Sequence, residues 1–227
     1  MLVVGAGALG CAAATALAAA GVARLTLVDP DRVEPSNLHR QLLHRTADVG
    51  RPKVLSAAET LQARHPGVAI TPVEGRVDAA NAAAFLAGHA CVVDASDGLE
   101  TKFMLNDAAV RAGRPLVHGG VVRFVGQLMT ILPGESACYR CLFGAPPAAA
   151  DVPSCQEAGV VGSLAATIGI LQAAEVVRLL TGAGGLLTDR LLTVDALGGR
   201  WRRVRLRRNP ACAACGEGVA LTGSAGL

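Results

Sequence analysis

Two pairs of cysteines have the spacing of metal ligands. Cys138 and Cys141 form one C-x-x-C pair, and Cys212 and Cys215 form a second pair after 70 intervening residues. Each pair offers two thiolates, and four thiolates are a common ligand set of a tetrahedral structural zinc site. Such a site leaves no position for water, so its role would be to tie the end of the chain to its middle. Two disulfides are the alternative that the spacing leaves open.

A glycine-rich loop near the start has the chemistry of a phosphate-binding turn. The run Gly5-Ala6-Gly7-Ala8-Leu9-Gly10 follows a short apolar segment, and Asp29 stands 19 residues after Gly10. Glycines let the backbone approach phosphates, the following helix offers free N–H groups, and an acid at this distance can accept from ribose hydroxyls. The loop predicts an adenine-nucleotide site without separating NAD from ATP. Helix–strand packing by small residues is the alternative without a ligand.

Charged residues further along the chain favour a triphosphate. Arg40 and Lys53 could neutralise the β and γ phosphates, and Asp97 could hold Mg²⁺ on them. An NAD-dependent oxidoreductase would account for the glycine loop but not for these side chains. Each of these residues taken singly would be an ordinary surface charge. Their order along one predicted sheet edge is what favours a triphosphate site.

The elements that must position these residues alternate along the chain. Apolar runs predict strands at 1–4, 24–28, 68–73, 90–94 and 115–121, with helices at 8–20, 50–64, 79–87 and 100–112. Further strands are predicted at 127–132, 190–195 and 201–206, and a long helix at 159–180. This pattern predicts an α/β fold: a Rossmann-like, mostly parallel sheet with helices on both faces, extended by a C-terminal antiparallel portion. We expect a single domain over 1–218 and a flexible tail over 219–227.

Composition excludes several classes of protein. With 227 residues, 52% of them hydrophobic and 17% charged, the chain can build a core and is not disordered. A net charge of +3 is too small to indicate nucleic-acid binding. Residues 1–23 carry no charge, but no positive segment precedes them and glycines interrupt them, so a buried strand–helix unit is the better interpretation than a signal peptide or a membrane span. We therefore expect a cytoplasmic protein that does not bind membranes.

Taken together, the motifs resemble those of the ThiF/MoeB/HesA branch of the ubiquitin-activating-enzyme superfamily. The resemblance extends over 1–218 and rests on the glycine loop at 5–10, Asp29, S-N-L-x-R-Q at 36–41, R-P-K at 51–53, the Asp97 region, C-Y-R-C at 138–141, Cys155 with A-G-V at 158–160, and C-x-x-C-G at 212–216. It implies an enzyme that binds ATP and Mg²⁺ and adenylates the C-terminal glycine of a ubiquitin-like sulfur carrier protein ending in Gly-Gly. Such carriers, of the ThiS or MoaD kind, serve thiamine or molybdopterin synthesis.

The resemblance also implies roles for individual residues. The nucleotide and metal contacts would be Gly5, Gly7, Ala8, Gly10, Asp29, Ser36, Asn37, Leu38, His39, Arg40, Lys53, Asp97 and Gly98. Arg40, Lys53 and Asp97 would be catalytic, because the reaction brings two anions together and develops negative charge.

Sulfur chemistry and assembly are implied in the same way. Cys155, beside a predicted helix start, would take part in sulfur or thioester transfer from a cysteine desulfurase or another persulfide donor. A loop cysteine without a chemical role is the alternative for Cys155. Cys11 and Cys91 fall in helix and strand patterns and are expected to be small core residues. Family members commonly form homodimers.

The chain departs from the family pattern at three places. Relatives carry an N-terminal helix with an arginine that reaches the partner subunit, whereas this sequence starts at the first strand. The usual D-N-x-x-x-R motif is Asp97-Gly98-Leu99-Glu100-Thr101-Lys102, in which Lys102 keeps a charge without the planar fork of arginine. Ala8 replaces a frequent glycine. A catalytically impaired carrier-binding module of the same family is therefore the alternative function.

Overall fold

The computed structural model describes residues 1–147 and 159–219. Its strands are β1 (Leu2–Val4), β2 (Arg24–Asp29), β3 (Ala69–Glu74), β4 (Val92–Asp94), β5 (Leu116–Val122), β6 (Val125–Ile131), β7 (Arg190–Asp195) and β8 (Arg200–Arg205). Its α-helices are α1 (Ala8–Ala19), α2 (Lys53–Arg64), α3 (Ala82–Ala87), α4 (Leu99–Arg111), α5 (Tyr139–Phe143) and α6 (Gly162–Thr181), and short 3₁₀ turns cover Pro35–Asn37 and Thr46–Asp48.

These strands form one mixed sheet in the order β3-β2-β1-β4-β5-β6-β7-β8. The first five strands in this order run parallel, and β6, β7 and β8 add to them in antiparallel fashion. The Rossmann-like sheet with an antiparallel extension, predicted from the sequence, is confirmed. The predicted elements also agree with the observed ones to within a few residues at their ends.

The strand order places a crevice at the carboxyl end of β1. From β1 the chain builds outward through β2 and β3, and then returns to β1's other side to form β4. Val4 pairs with Val28 of β2 on one side and with Asp94 of β4 on the other, so three strand ends lie side by side. Parallel sheets bind ligands at such a topological switch point. The glycine loop and the turn after β4 both emerge at this edge.

The central strands β1 and β4 are buried along their whole length, which explains why they read as largely apolar runs. Val3 of β1 packs in one core with α1, α2 and α6, represented by Leu17, Leu61 and Ile168. Its neighbour Leu2 packs in a second core with residues of α3 and α4. The alternation along one three-residue strand therefore supplies both cores.

Helix α6 is a core helix of this fold. In the described part of the chain it is the one helix long and apolar enough to cross a membrane, with a mean hydropathy of 1.5. Ile168 and Val176 are fully buried. At Gly169 the helix lies so close to α1 that a Cβ would stand 2.4 Å from the carbonyl oxygen of Leu9. Contact this close requires glycine at that position.

Strand β8 ends the sheet and is exposed along its whole length. Four arginines and Trp201 occupy this strand. Positive charges on an edge strand discourage pairing with the edge of another sheet.

Candidate functional site

The glycine loop is held in place by close packing of backbone on backbone. Gly5 has a φ of +103°, and a Cβ there would stand 2.6 Å from the carbonyl oxygen of Ala95. A Cβ on Gly10 would stand 1.8 Å from the carbonyl oxygen of Gly5. Gly7 precedes α1, and no side chain caps this helix. The N–H groups of its first turn are therefore suited to bind an anion.

Asp29 braces this loop from the end of β2. Its carboxylate accepts hydrogen bonds from the N–H of Ala6 at 2.6 Å and from the N–H of Asp31 at 2.8 Å. Burial raises the pKa of the Asp29 carboxyl, while the hydrogen bond from Ala6 and the ammonium of Lys53 oppose that rise. The ribose contact predicted from the sequence would use the lone pairs that these bonds leave free.

Lys53 and Arg40 are held by different means. Lys53 begins α2, is buried, and donates from Nζ to the carboxylate of Asp31 at 2.8 Å. Arg40 is partly exposed and donates from Nη1 to the carbonyl oxygen of Ser36 at 3.0 Å. Lys53 is therefore fixed in one place, whereas the Arg40 guanidinium keeps donors for a ligand.

The N-terminus of α6 adjoins Arg40, a contact that the sequence pattern did not predict. A Cβ on Gly162 would stand 2.9 Å from the Cβ of Arg40, so the first turn of this 20-residue helix packs on the segment that carries the cation. A helix N-terminus favours negative charge. The signal in the sequence was a glycine at the start of a long helical pattern.

The segment between β2 and α2 also contains a residue that the predicted set omitted. Gln41 is 4% exposed, and its amide Oε1 accepts no hydrogen bond from the described residues. Its Nε2 would stand 3.8 Å from a Cβ on Gly7, so the side chain lies beside the glycine loop. Buried acceptors without a partner are uncommon. Its position in the S-N-L-x-R-Q motif was the signal.

The other predicted contacts in this segment differ in exposure. Asn37 is buried, and its Nδ2 donates to Ser36 Oγ at 3.2 Å. Its carbonyl oxygen accepts from the N–H groups of Arg40 and Gln41. Ser36 and His39 are exposed, and Leu38 is partly exposed. Asn37 thus shapes the turn that presents its neighbours.

The turn after β4 presents a free carboxylate beside the glycine loop. Asp97 is exposed, and in 1–147 and 159–219 no hydrogen bond or ion pair holds its carboxylate. Gly98 is the N-cap of α4. The same turn contains Ala95, which packs against Gly5. Mg²⁺ is usually bound through one or two carboxylates together with substrate phosphates, and this donor fits that pattern.

Lys102, which stands where the family pattern has arginine, is not an exposed cation at the sheet edge. Its side chain is buried, and Nζ lies 3.3 Å from Asp94 Oδ2 and donates to the carbonyl oxygen of Gly119 at 2.7 Å. The sequence shows the charge of Lys102, whereas its partners, Asp94 and Gly119, are apparent only in the fold.

The four cysteines of the C-x-x-C pairs come together. Their sulfur atoms all lie within 4.8 Å of one another, and three pairs lie at 3.9, 3.6 and 3.4 Å. Tetrahedral zinc with bonds of about 2.3 Å would hold its sulfurs about 3.8 Å apart. A disulfide needs about 2.05 Å, and these four cysteines are free. The arrangement fits a structural zinc ion with no open coordination position.

Packing around this cluster explains the residues between its cysteines. The N–H of Tyr139 donates to the side-chain oxygen of Asn106 at 2.8 Å. Arg140 makes a two-pronged ion pair with Asp107, at 2.7 and 2.8 Å. Both partners belong to α4, so the cluster is attached to the helix that follows the Asp97 turn.

The predictions for the remaining cysteines differ in outcome. Burial raises the pKa values of Cys11 and Cys91 to about 12, so both thiols stay protonated. This agrees with the prediction that they are core residues. Cys155 lies outside the described residues, so its predicted role in sulfur transfer stays a prediction.

A cleft of about 420 Å³ lies between α6 and β7–β8. None of the predicted nucleotide contacts lines this cleft.

Comparison with known proteins identifies a matching family and several similar proteins. The model of the ThiF family matches residues 1–214. A sulfur carrier protein adenylyltransferase of Thermus thermophilus is 48% identical, over 96% of this chain and 82% of that protein. A SAMP-activating enzyme E1 of Haloferax volcanii is 47% identical, over 96% of this chain and 80% of that protein.

Longer proteins match as well. The adenylyltransferase and sulfurtransferase MOCS3 of Bos taurus is 47% identical over 98% of this chain, which spans 49% of that protein. The crystal structure of E. coli MccB with ATP superposes with a TM-score of 0.82 at 21% identity, over 95% of this chain and 65% of that one. At this identity the likeness to MccB shows the fold alone.

Proposed function

This chain belongs to the ThiF family, and we propose that it is an ATP-dependent adenylyltransferase that activates the C-terminal glycine of a ubiquitin-like sulfur carrier protein. Two relatives that it matches over most of their length are a sulfur carrier protein adenylyltransferase and a SAMP-activating E1. The carrier would be of the ThiS or MoaD kind, serving thiamine or molybdopterin synthesis.

One structural observation carries the proposal. The uncapped N-terminus of α1, two cations and a free carboxylate belong to the segments that follow β1, β2 and β4 at the carboxyl edge of the parallel sheet. The glycine loop and the Asp97 turn touch there, through Gly5 and Ala95. A triphosphate with its metal requires these three kinds of group, whereas a dinucleotide would leave Arg40, Lys53 and Asp97 without a role.

The chemistry assigns a task to each group. A carboxylate oxygen of the carrier attacks the α-phosphorus of ATP, the bond to the β-phosphate oxygen breaks, and pyrophosphate leaves. The N–H groups at the start of α1 would bind phosphate oxygens, and Arg40 and Lys53 would neutralise the charge that develops on the leaving group. Asp97 would hold Mg²⁺, which screens the phosphates. The protein's main contribution is to bring two anions together.

We propose that Cys138, Cys141, Cys212 and Cys215 bind zinc with a structural role. Four thiolates at these separations support this assignment. The metal would join the segment after β6 to the end of the described chain and hold both against α4.

A surface for the carrier is proposed at the antiparallel end of the same edge. The turns after β5 and β7 both lie at the carboxyl edge, and the N–H of Ala196 donates to the carbonyl oxygen of Phe124 at 2.8 Å. The side chains of Phe124 and Leu197 are 44% and 77% exposed. Large apolar side chains exposed on neighbouring turns mark interaction surfaces. A carrier docked there could extend its C-terminal tail along the edge.

Assembly, location and the sulfur step are also proposals. Ile170 and Leu180 on α6 are about half exposed, which supports a homodimer through this helix.

The cysteines of the described residues form no disulfides, and this supports a reducing, cytoplasmic location. The terminal sulfur of a persulfide, held by a donor such as a cysteine desulfurase or passed from it to Cys155, would attack the acyl carbon of the acyl-adenylate, form the acyl–sulfur bond and displace AMP.

Carrier-dependent exchange of labelled pyrophosphate into ATP tests the function. We expect exchange with a carrier ending in Gly-Gly and none with the same carrier lacking its last glycine, both on this chain and on an N-terminally extended one. Binding of ATP and carrier without exchange on either chain would instead support the carrier-binding module.

A further inference from the structure

A buried cluster of ionisable side chains lies directly beneath the turn that carries Asp97. Asp94, the last residue of β4, is fully buried. His118 of β5 donates from Nδ1 to its Oδ2 at 2.9 Å, and Lys102 of α4 lies 3.3 Å from the same oxygen. Ser96 donates to Oδ1 from its hydroxyl at 2.6 Å and from its N–H at 3.1 Å.

The ion pair and hydrogen bonds of this cluster hold both ends of the turn that contains Asp97. Asp94 precedes the segment Ala95–Gly98, and Lys102 lies in the first turn of the helix that follows it. The ion pair between them therefore joins the two ends of the segment. Lys102 is in turn anchored to the carbonyl oxygen of Gly119, and Gln172 of α6 donates to the carbonyl oxygen of Asp94 at 2.7 Å.

A contribution to the stability of the fold does not by itself explain why these charged side chains are buried together. Burial by itself would raise the pKa of Asp94, but the Lys102 ammonium and the His118 hydrogen bond outweigh it and hold that pKa well below its usual range. Buried ion pairs often stabilise a fold no better than apolar side chains of the same volume. Their directional bonds do, however, fix one geometry, as outer-shell groups do around metal ligands.

We propose that Asp94, Lys102 and His118 are positioning residues that fix the turn Ala95–Gly98 and so place the Asp97 carboxylate for a Mg²⁺–nucleotide complex. This inference rests on the proposed function of the site. The three residues act through the turn and touch neither metal nor nucleotide.

The test compares ATP binding in Mg²⁺ with ATP binding in EDTA, by calorimetry. The double variant Asp94→Asn with Lys102→Met removes the ion pair without leaving one charge buried alone. We expect it to bind ATP in EDTA as the wild type does, while its apparent affinity for Mg²⁺ falls about 10-fold to 100-fold. The single variant Lys102→Arg, with Asp94 intact, keeps the ion pair and should retain most of the wild-type affinity. The control Thr130→Val removes a buried hydrogen bond to Glu175 elsewhere in the sheet and should leave the Mg²⁺ affinity unchanged.

Ser96→Ala keeps the test decisive if the double variant does not fold. It removes one hydroxyl link to Asp94 and should weaken Mg²⁺ binding about threefold. An unchanged Mg²⁺ affinity in the folded variants, or an equal loss of ATP binding in EDTA, overturns the inference.

Failure of the proposed function would look different. Wild-type protein that binds no ATP and shows no exchange with any Gly-Gly carrier would contradict the function itself. Wild-type protein that exchanges, with an Asp97→Asn variant of unchanged Mg²⁺ affinity, would contradict the Mg²⁺ role of Asp97 and the positioning inference that depends on it, but not adenylation itself.

Discussion

At the scale of single residues, replacing Lys53 should show most clearly whether a cation at this position stabilises the leaving phosphate. It is buried and fixed by Asp31, so its ammonium is preorganised for a leaving phosphate. We expect Lys53→Met to lower the rate of carrier-dependent pyrophosphate exchange about 100-fold, comparable to the loss of one preorganised charge-stabilising donor. Steady-state exchange assays at saturating ATP would measure this.

Arg32 provides a matched control for the loss of charge. It lies in the same segment, is largely exposed, and pairs with Glu74 at 3.2 Å. Exposed ion pairs contribute little, so Arg32→Gln should exchange at nearly the wild-type rate. Equal losses in both variants would show that Lys53 acts only through the general charge of the segment.

His118 should make stability depend on pH. Burial lowers its pKa from the ordinary value, and the Lys102 ammonium lowers it further, against the opposing effect of Asp94. The unfolded chain therefore takes up a proton near pH 6.5 that the folded chain takes up only at lower pH, so the free energy of unfolding falls as the pH falls through this range. His118→Asn should flatten this dependence by up to about 1.4 kcal/mol per pH unit. Chemical denaturation between pH 8 and about 5.5 measures it, and parallel curves for both proteins would refute the assignment.

At the scale of elements, the glycine loop and α1 depend on close backbone contact. A Cβ on Gly10 would stand 1.8 Å from the Gly5 carbonyl oxygen, so Gly10→Ala must displace the loop. We expect it to destabilise the fold by about 1–3 kcal/mol and to abolish ATP binding. Gly88→Ala, where a Cβ meets nothing within 4 Å, should cost no more than about 1 kcal/mol and bind ATP normally. Thermal unfolding and ATP titration of both variants decide this.

The cysteine cluster links elements that are far apart in sequence. Closing a loop of 70 residues stabilises a fold by about 4 kcal/mol in chain entropy. Removing the metal should therefore lower Tm by about 8–16 °C. We expect Cys215→Ser protein to contain no zinc by elemental analysis, and Cys11→Ala protein to contain one zinc per chain. Stoichiometric zinc in the Cys215 variant would contradict the site.

The sequence predicted the elements well because their signals are local. Buried parallel strands are apolar throughout, as at Leu2–Val4, and the glycine loop and C-x-x-C pairs have fixed spacings. Contacts between distant segments left no such signal. The burial of Lys102 depends on Asp94 and Gly119, and the proximity of Gly162 to Arg40 depends on how α6 packs. Residue type could indicate a charge but not its partner.

At the scale of the whole molecule, the sheet edge connects the candidate nucleotide site to the antiparallel end of the sheet. If the carrier docks on the turns after β5 and β7, the double variant Phe124→Asp with Leu197→Asp should raise KM for the carrier about tenfold or more, since hot-spot side chains commonly contribute this much. ATP binding should not change. Leu55→Asp, at a 44% exposed position on α2, is the matched control and should leave both values unaltered. An unchanged KM for the carrier would exclude this surface.

The proposed function is defined by the phosphorus atom that the carrier attacks. Adenylation places the α-phosphate on the carrier, whereas phosphorylation would place the γ-phosphate there. Incubating the protein with a Gly-Gly carrier and ATP labelled at either position, without a sulfur donor, separates the two. We predict α-label on the carrier's C-terminal glycine, release of pyrophosphate, and no γ-label on the carrier. Transfer of γ-label, or no label on the carrier although ATP and carrier both bind, would contradict the proposed function.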